Sequence, residues 1–157
     1  MDYKKEVERF LREFQKSEKS SHRLQLEELN VYKLADEVSD KIWKLVSDWR
    51  PFSKNTIGEQ MVRSADSIVA NIAEGYGRYF FKDNIVFLYY SRGSAYETKL
   101  WVEKAYKRDL IKEKEFKELK KAIEKLILEL NKLIKTIKKQ IDKFIVVPWY
   151  RYKPKSK

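Results

Sequence analysis

The sequence predicts an all-α protein that folds as an antiparallel four-helix bundle, and three observations support this prediction. Apolar residues recur at steps of three and four over four long segments, which is the period of a helix with one buried face. No segment alternates apolar and polar residues as a half-buried strand does. Only four glycines and three prolines interrupt the 157 residues, so the connections are short, and short connections favour antiparallel neighbours.

The first helix is predicted over residues 24–49, where apolar residues form a core-facing stripe. The stripe consists of Val31, Ala35, Val38, Ile42, Leu45 and Trp49. Residues 50–58 are predicted to form a loop, because Pro51 and the turn-favouring Ser53 and Asn55 stop the first helix.

The second helix is predicted from about residue 57 to Gly75. Asn71 and Glu74 lie three residues apart on one of its faces, and burial there would require partners. The candidate partners are Arg63, Arg78 and the serine hydroxyls. The helix also carries small residues that would let a neighbouring helix approach closely. These are Ser64, Ala65, Ser67, Ala70 and Ala73.

Gly75 and Gly77 are interpreted as marking a helix end rather than a phosphate-binding loop. A dinucleotide-binding loop needs G-x-G-x-x-G between a strand and a helix. Here a helix precedes the two glycines and no third glycine follows. We therefore predict that Gly75 caps the second helix in the left-handed conformation, and that Gly77 permits the turn into the third.

The third helix is predicted over about residues 82–107, and Gly93 inside it is expected to let a neighbouring backbone come close. A helix on the surface of a monomer needs only one apolar stripe, whereas apolar residues surround more than one face here. They are Phe80, Phe81, Ile85, Val86, Phe87, Leu88, Tyr89 and Tyr90. This excess predicts a subunit interface, and so a homo-oligomer.

The fourth helix has the clearest pattern, a heptad-like apolar seam of roughly 30 residues with lysines crowding the other face. The seam consists of Phe116, Leu119, Ile123, Leu126, Leu130, Leu133, Ile137, Ile141 and Phe144. The lysines are Lys117, Lys120, Lys121, Lys125, Lys132, Lys135, Lys138, Lys139 and Lys143.

Two segments flank the bundle, which is predicted to occupy residues 24–145. Residues 1–20 form an amphipathic extension with apolar positions at Val7, Phe10, Leu11 and Phe14. Residues 146–157 form a tail without acidic residues, in which aromatic and basic side chains alternate. Such a tail either binds a polyanion or is a disordered, solubilising end.

Composition limits the chemistry of the chain. It has no cysteine and one histidine, His22, which argues against disulfides and against cysteine- or histidine-based metal centres. The acidic residues near the first helix lack the Glu-x-x-His motif of di-iron bundles. Without a histidine base, a thiol or a metal set, we expect no enzyme activity and no cofactor. The start of the chain lacks an apolar signal core, and no apolar run is long enough to span a membrane, so we expect a cytoplasmic protein.

The net charge of +11 is unevenly distributed along the chain. Residues 1–100 contain 17 Lys or Arg and 16 Asp or Glu, whereas residues 101–157 contain 18 and 8. The basic last third suggests a polyanionic partner. The alternative is a lysine-rich solvated helix of the kind common in proteins from hot environments.

The segment RSADSIVANIAEGYGR, residues 63–78, resembles the signature of a known family of four-helix bundles. This family includes proteins encoded within 23S rRNA intervening sequences and the accessory variability determinants of diversity-generating retroelements. The matching positions are Arg63, Ser67, Ile68, Asn71, Ile72, Ala73, Glu74, Gly75, Gly77 and Arg78. FLYYSRGSAYET resembles the family's third helix and LADEVSDKIWKLVSDW its first, so the resemblance covers roughly residues 28–135.

The resemblance implies a ring-like homopentamer without enzymatic activity. In the retroelement members it implies a basic pentamer that binds nucleic acid and associates with a reverse transcriptase. With the charge pattern, it predicts nucleic-acid-binding residues Arg78, Lys82, Arg92, Lys132, Lys135, Lys139, Trp149, Arg151, Tyr152 and Lys153. The structural motif is predicted to comprise Arg63, Asn71, Glu74, Gly75, Gly77 and Gly93, with no metal ligands.

Two hypotheses for function follow. The first is a non-sequence-specific RNA-binding accessory protein, acting as cofactor of a reverse transcriptase. The second is an oligomeric scaffold whose lysines serve solubility alone.

Overall fold

The computed structural model of the protein describes residues 25–78 and 81–144. The predicted extension, residues 1–20, and the predicted tail, residues 146–157, lie outside the described residues. So do the four tail positions predicted to bind nucleic acid, Trp149, Arg151, Tyr152 and Lys153.

Four helices form an antiparallel bundle, as predicted from the sequence. They are α1 (Asn30–Ser47), α2 (Glu59–Gly77), α3 (Phe81–Lys107) and α4 (Glu113–Phe144), and a 3₁₀ turn precedes α1 at Leu26–Glu28. The part of the chain that the structure describes contains no strand. None of the helices in this part of the chain is both long enough and apolar enough to span a bilayer.

The helices enclose one apolar core. Consecutive helices pack against each other, and α1 closes the bundle by packing on α4, so that α1 and α3 face each other across a diagonal. The predicted stripe of α1 is buried from Val31 to Ile42, and most of the predicted seam of α4 is buried as well. The seam also includes Ile127 and Ile134, which the heptad pattern omitted. The largest fully buried side chains are Ile42, Met61, Ile68, Ile72, Leu88, Ile123, Leu126 and Leu130.

The loop predicted at residues 50–58 is wrong, because this segment is helical. An α-helical turn at Pro51–Ser53 and a π-helix at Lys54–Gly58 lead without a break into α2. Arg50 has an extended backbone, as the residue before a proline prefers, and Pro51 occupies the first helical turn, where its missing N–H costs no hydrogen bond. The proline therefore begins the second helix as well as ending the first.

Gly75 does not cap α2 in a left-handed conformation, because no described glycine has a positive φ. The helix continues to Gly77, and Arg78 leaves it with an extended backbone. Gly75 is needed for a different reason. A Cβ atom at this position would lie 3.0 Å from Phe87 Cβ and 3.2 Å from the Asn84 carbonyl oxygen. The absence of a side chain lets α3 cross α2 closely at this point.

The roles predicted for the other two glycines of the structural motif, a turn at Gly77 and a close backbone approach at Gly93, also differ from the structure. Gly77 is helical and a Cβ atom there would meet nothing within 4 Å, so no turn requires it. Gly93 is exposed on α3 and likewise has open space around its Cβ position, so no backbone within residues 25–78 and 81–144 approaches it.

The reversal between α3 and α4 uses Asp109, which has a φ of 56°. The N–H of Leu110 bonds to the Ala105 carbonyl and the N–H of Asp109 to the Tyr106 carbonyl. These two bonds form a Schellman motif, in which aspartate tolerates the left-handed position usually taken by glycine. The Glu115 carboxylate then accepts a hydrogen bond from the Lys112 N–H at 2.8 Å and caps the start of α4.

Gly75→Ala and Gly93→Ala form a matched pair that tests the close crossing of α2 and α3. Both changes raise helix propensity, but only Gly75→Ala places a methyl group against a neighbouring helix. We expect Gly75→Ala to lower the free energy of unfolding by about 1 kcal/mol and Gly93→Ala to raise it by about 0.5–1 kcal/mol. Urea titration followed by circular dichroism measures both. A stabilising Gly75→Ala would contradict the crossing.

Candidate nucleic-acid interface

The signature segment of α2 forms one side of a polar seam with α3. The hydroxyls of Ser67 and Ser94 lie 3.0 Å apart, and the Thr98 hydroxyl donates to Ser64 Oγ at 3.0 Å. Ser91 Oγ donates to the Ile68 carbonyl at 3.0 Å. Small hydroxyl residues allow the two helices to approach closely and still satisfy each other's polar atoms.

Asn71 and Glu74 have different environments, although the sequence placed them together on one face. Asn71 is half-buried and its amide donates to the Ser67 carbonyl at 2.7 Å, with Ser67 Oγ 3.1 Å away. Glu74 is exposed, so it is not a buried residue of the bundle, and it pairs with Arg78, one of its candidate partners. The face of α2 that packs on α3 passes through Ser67 and Asn71 and turns away before Glu74.

The two arginines of the motif lie on the surface. Arg63 pairs with Glu59 at 3.5 Å, and both side chains are mostly exposed. Arg78 pairs with Glu74 and its guanidinium also lies 4.6 Å from the centre of the Phe87 ring. Its charge is therefore already compensated by a carboxylate.

A row of exposed side chains runs along the outer face of α4, and all but one are lysines. The row consists of Lys121, Lys125, Leu128, Lys132, Lys135 and Lys139, at alternating steps of four and three. We call it the outer lysine row. At 1.5 Å per residue it extends for roughly 27 Å.

The positive charge of α4 is concentrated in its second half. Residues 113–129 contain five lysines and five glutamates, whereas residues 130–144 contain five lysines and one aspartate. Lys117 pairs with Glu113 at 2.6 Å, which raises the pKa of the lysine and lowers the pKa of the glutamate. Lys132 pairs with Glu129 at 2.7 Å. Within the described residues, Lys121, Lys125, Lys135 and Lys139 form no ion pair.

The structure brings most of the predicted basic positions to one end of the bundle. Because α3 and α4 are antiparallel, Lys82 and Arg92 in the first half of α3 lie beside the second half of α4, which carries Lys132, Lys135 and Lys139. Three further lysines of this surface were not predicted as site residues, namely Lys121, Lys125 and Lys138. The spacing of the outer lysine row in the sequence could have identified the first two.

Arg92 contacts an amide and an aromatic ring at the α3–α4 seam. Its guanidinium donates to Asn131 Oδ1 at 2.8 Å and lies 4.9 Å from the centre of the Tyr89 ring. The ammonium of Lys138 lies 5.3 Å from the centre of the same ring. Two cations therefore share one tyrosine, and the hydrogen-bond acceptor is an amide rather than a carboxylate.

Two turns away along the same seam, Lys99 pairs with Glu124 at 2.7 Å. This hydrogen bond lowers the pKa of Glu124 and raises the pKa of Lys99. A lowered carboxylate pKa stabilises the fold at neutral pH, and that stabilisation is lost as the pH falls through the lowered value. The seam is thus charge-compensated at this level.

An open groove of about 1010 Å³ lies at the opposite end of the bundle, between α1 and α4. Its rim carries both signs of charge, including Lys41, Lys44, Asp48, Glu113 and Glu118. Acidic side chains at the rim would repel a polyanion, so the groove is separate from the basic surface.

The outer face of α3 carries exposed apolar side chains at helical spacing. Val86, Tyr90, Tyr96 and Leu100 are each between 43% and 58% exposed, and Gly93 lies among them. Contiguous exposed apolar side chains are typical of protein–protein contacts.

Comparisons with known proteins agree with this architecture. The model of a family described as 23S rRNA-intervening sequence protein matches residues 27–132. Among solved structures, the chain resembles a protein of unknown function from the S23 ribosomal protein family of Bacteroides thetaiotaomicron VPI-5482, with a TM-score of 0.61. The two are 24% identical, and the match covers 67% of this chain and 98% of the other. A search of curated proteins found no match.

Asn71→Ala and Glu74→Ala test which residue of the motif anchors the seam. Asn71→Ala removes two side-chain hydrogen bonds to Ser67, whose hydroxyl keeps Ser94 as a neighbour, so we expect the free energy of unfolding to fall by about 1 kcal/mol. Glu74→Ala removes an exposed ion pair and should change it by about 0.5 kcal/mol or less. Denaturant unfolding measures both changes. If Glu74→Ala lowered the free energy of unfolding more than Asn71→Ala does, Glu74 rather than Asn71 would be the residue that stabilises the seam.

Proposed function

The chain belongs to the family of 23S rRNA-intervening sequence proteins, and we propose that it is a non-enzymatic, oligomeric accessory protein that binds RNA. The observation that carries this proposal is the outer lysine row of α4, four of whose five lysines have no ion pair among the described residues. Lysines that stabilise a helix through side-chain pairs are bonded to acidic neighbours three or four residues away. Within the described residues these four lysines are not, so their charge stays available to a polyanion.

The geometry of the outer lysine row suits a nucleic-acid backbone. The lysines of the row project from one face of α4. Their charges therefore follow a line about as long as several nucleotides of an extended single-stranded RNA. Ammonium groups contact phosphates without reading base edges, so binding is expected to be strong at low salt and weakly dependent on sequence.

A finer proposal is that the RNA-bound protein is the cofactor of a reverse transcriptase. The resemblance to the accessory variability determinants of diversity-generating retroelements supports it. An adjacent reverse-transcriptase gene with a template repeat would favour this role, whereas a position inside a 23S rRNA gene would favour the other branch of the family. Both settings agree with a cytoplasmic protein.

We further propose that the protein assembles with copies of itself, with five as the expected number. The number comes from the family resemblance, and the exposed apolar face of α3 supports assembly independently. Tyr90 is 58% exposed and Leu100 is 47% exposed, although both are large and apolar or aromatic. Covering them in a subunit interface would remove this surface from water.

The second candidate function is an oligomeric scaffold without a nucleic-acid role. The pairs Lys117–Glu113 and Lys132–Glu129 favour it, because they show that some lysines of α4 stabilise their own helix. Lysines near the end of a helix also interact favourably with its dipole. RNA binding separates the two candidates.

Binding of single-stranded RNA should weaken steeply with salt. Replacing Lys125, Lys135 and Lys139 with glutamine should reduce the slope of log affinity against log salt by about 2, at about 0.7 per lost phosphate contact. The control replaces Lys33, Lys41 and Lys44, which are exposed on α1, and removes the same net charge. It should leave the slope nearly unchanged. Fluorescence anisotropy with a labelled oligonucleotide measures the affinities. Absence of RNA and DNA binding at low salt would leave the scaffold function standing.

Assembly through α3 can be tested by light scattering at micromolar concentration. The wild-type protein should have a mass that is a multiple of 19.0 kDa, with five subunits expected. Leu100→Glu should lower the mass, because a charge in an apolar interface opposes association. Leu128→Glu makes the same change at an apolar residue of α4 that is 61% exposed, and should leave the mass unchanged. A monomeric wild-type protein would remove this proposal.

A further inference from the structure

The α3–α4 seam contains two levels of equivalent geometry, each with one polar pair. The two pairs differ in net charge. Arg92 lies seven residues before Lys99 on α3, and Asn131 lies seven residues after Glu124 on α4. Seven residues are two helical turns, so in an antiparallel pair these positions repeat the same geometry. At one level Lys99 bonds to a carboxylate at 2.7 Å, and at the other Arg92 bonds to an amide at 2.8 Å.

At the second level, Arg92 has no carboxylate partner among the described side chains. Arg92 and Lys138 lie 4.9 Å and 5.3 Å from the centre of the Tyr89 ring, so the two cations are no farther apart than the sum of these distances. The described carboxylates nearest along α4, Glu124 and Glu129, are paired with Lys99 and Lys132. Neither is therefore free to pair with Arg92.

We propose that Arg92 and Lys138 form a phosphate-binding clamp, which takes one backbone phosphate of a bound RNA at the α3–α4 seam. The clamp rests on the proposed RNA binding and adds to it one phosphate contact of fixed geometry. The outer lysine row supplies exposed cations of no fixed geometry, whereas the clamp holds a half-buried guanidinium in place through Asn131.

The chemistry of the clamp matches a phosphate group. A guanidinium offers several N–H donors in a plane, and one donor to Asn131 leaves others free to bind two phosphate oxygens. Lys138 adds a point charge on a flexible side chain, and its ammonium lies over the same Tyr89 ring. Tyr89 provides a ring that favours cations on its faces and keeps both charges close when no anion is bound.

Asn131 is the residue that leaves the clamp open to an external anion. An aspartate has nearly the same shape as an asparagine and would supply the carboxylate that Lys99 already has at the equivalent level. Asn131→Asp should therefore neutralise Arg92 internally without harming the fold. The exposed Asn55, at the opposite end of the bundle, offers the same change of side chain as a control.

The experiment measures binding of a single-stranded RNA oligonucleotide to the full chain, wild type and variants, at one low salt concentration. We expect Asn131→Asp to weaken binding by about tenfold or more, and Asn55→Asp by about twofold or less, because only the first pairs with the clamp. The melting temperature of Asn131→Asp should equal or exceed that of the wild type, which shows that the loss is not unfolding.

A third variant, Arg92→Lys, keeps the charge but removes the planar guanidinium, and should weaken binding several-fold. Equal affinities for Asn131→Asp and Asn55→Asp would overturn the clamp and leave the proposed RNA binding intact. A wild-type protein that binds no RNA would overturn both.

Discussion

The close crossing of α2 and α3 is the contact on which the rest of the structure depends. It requires a residue without a side chain at Gly75, hydroxyl residues that satisfy one another across the seam, and Asn84, whose amide donates to the Gly75 carbonyl at 2.8 Å. Together they fix where α3 begins relative to the end of α2. Since α3 in turn packs on α4, the crossing also determines which residues of α4 lie beside Arg92. The signature segment thus organises the basic surface without contributing most of its charges.

Charge compensation changes along the length of the bundle. In the first half of α4 and the adjoining part of α3, glutamates are about as frequent as lysines and some of them pair, as in Lys117–Glu113 and Lys99–Glu124. In the second half of α4 acidic residues become scarce, and cations face solvent, an amide or an aromatic ring. The same arrangement favours the helix, because cations near its carboxyl end offset the negative end of the dipole. A protein can therefore keep such a surface at low cost to its stability.

Sequence periodicity predicted what depends on one helix at a time and missed what depends on two. The α1 stripe and the α4 seam follow from the spacing of apolar residues, and most of their described residues are buried as expected. The sequence could not place Glu74, because three residues after Asn71 the face of α2 has already turned away from α3. It misassigned Gly75, because a glycine near a helix end serves equally for a left-handed cap or for a close crossing, and only the position of α3 decides. Pro51 was predicted only to end the first helix, although a proline is equally suited to the first turn of the next one. The pairing of Arg92 with Asn131 joins residues 39 positions apart, and depends on a register that no local pattern contains.

The short connection between α2 and α3 has a consequence for the order in which the chain acquires its structure. Consecutive helices can meet after closing only a small loop, whereas α1 and α4 meet across most of the described chain. We therefore expect the α2–α3 hairpin to form early and the α1–α4 edge to close last. When the native protein fluctuates, that edge should also open first. Detachment of α1 would leave the α3–α4 seam assembled, so the surface that carries Arg92 and the outer lysine row would survive the commonest partial unfolding of the bundle.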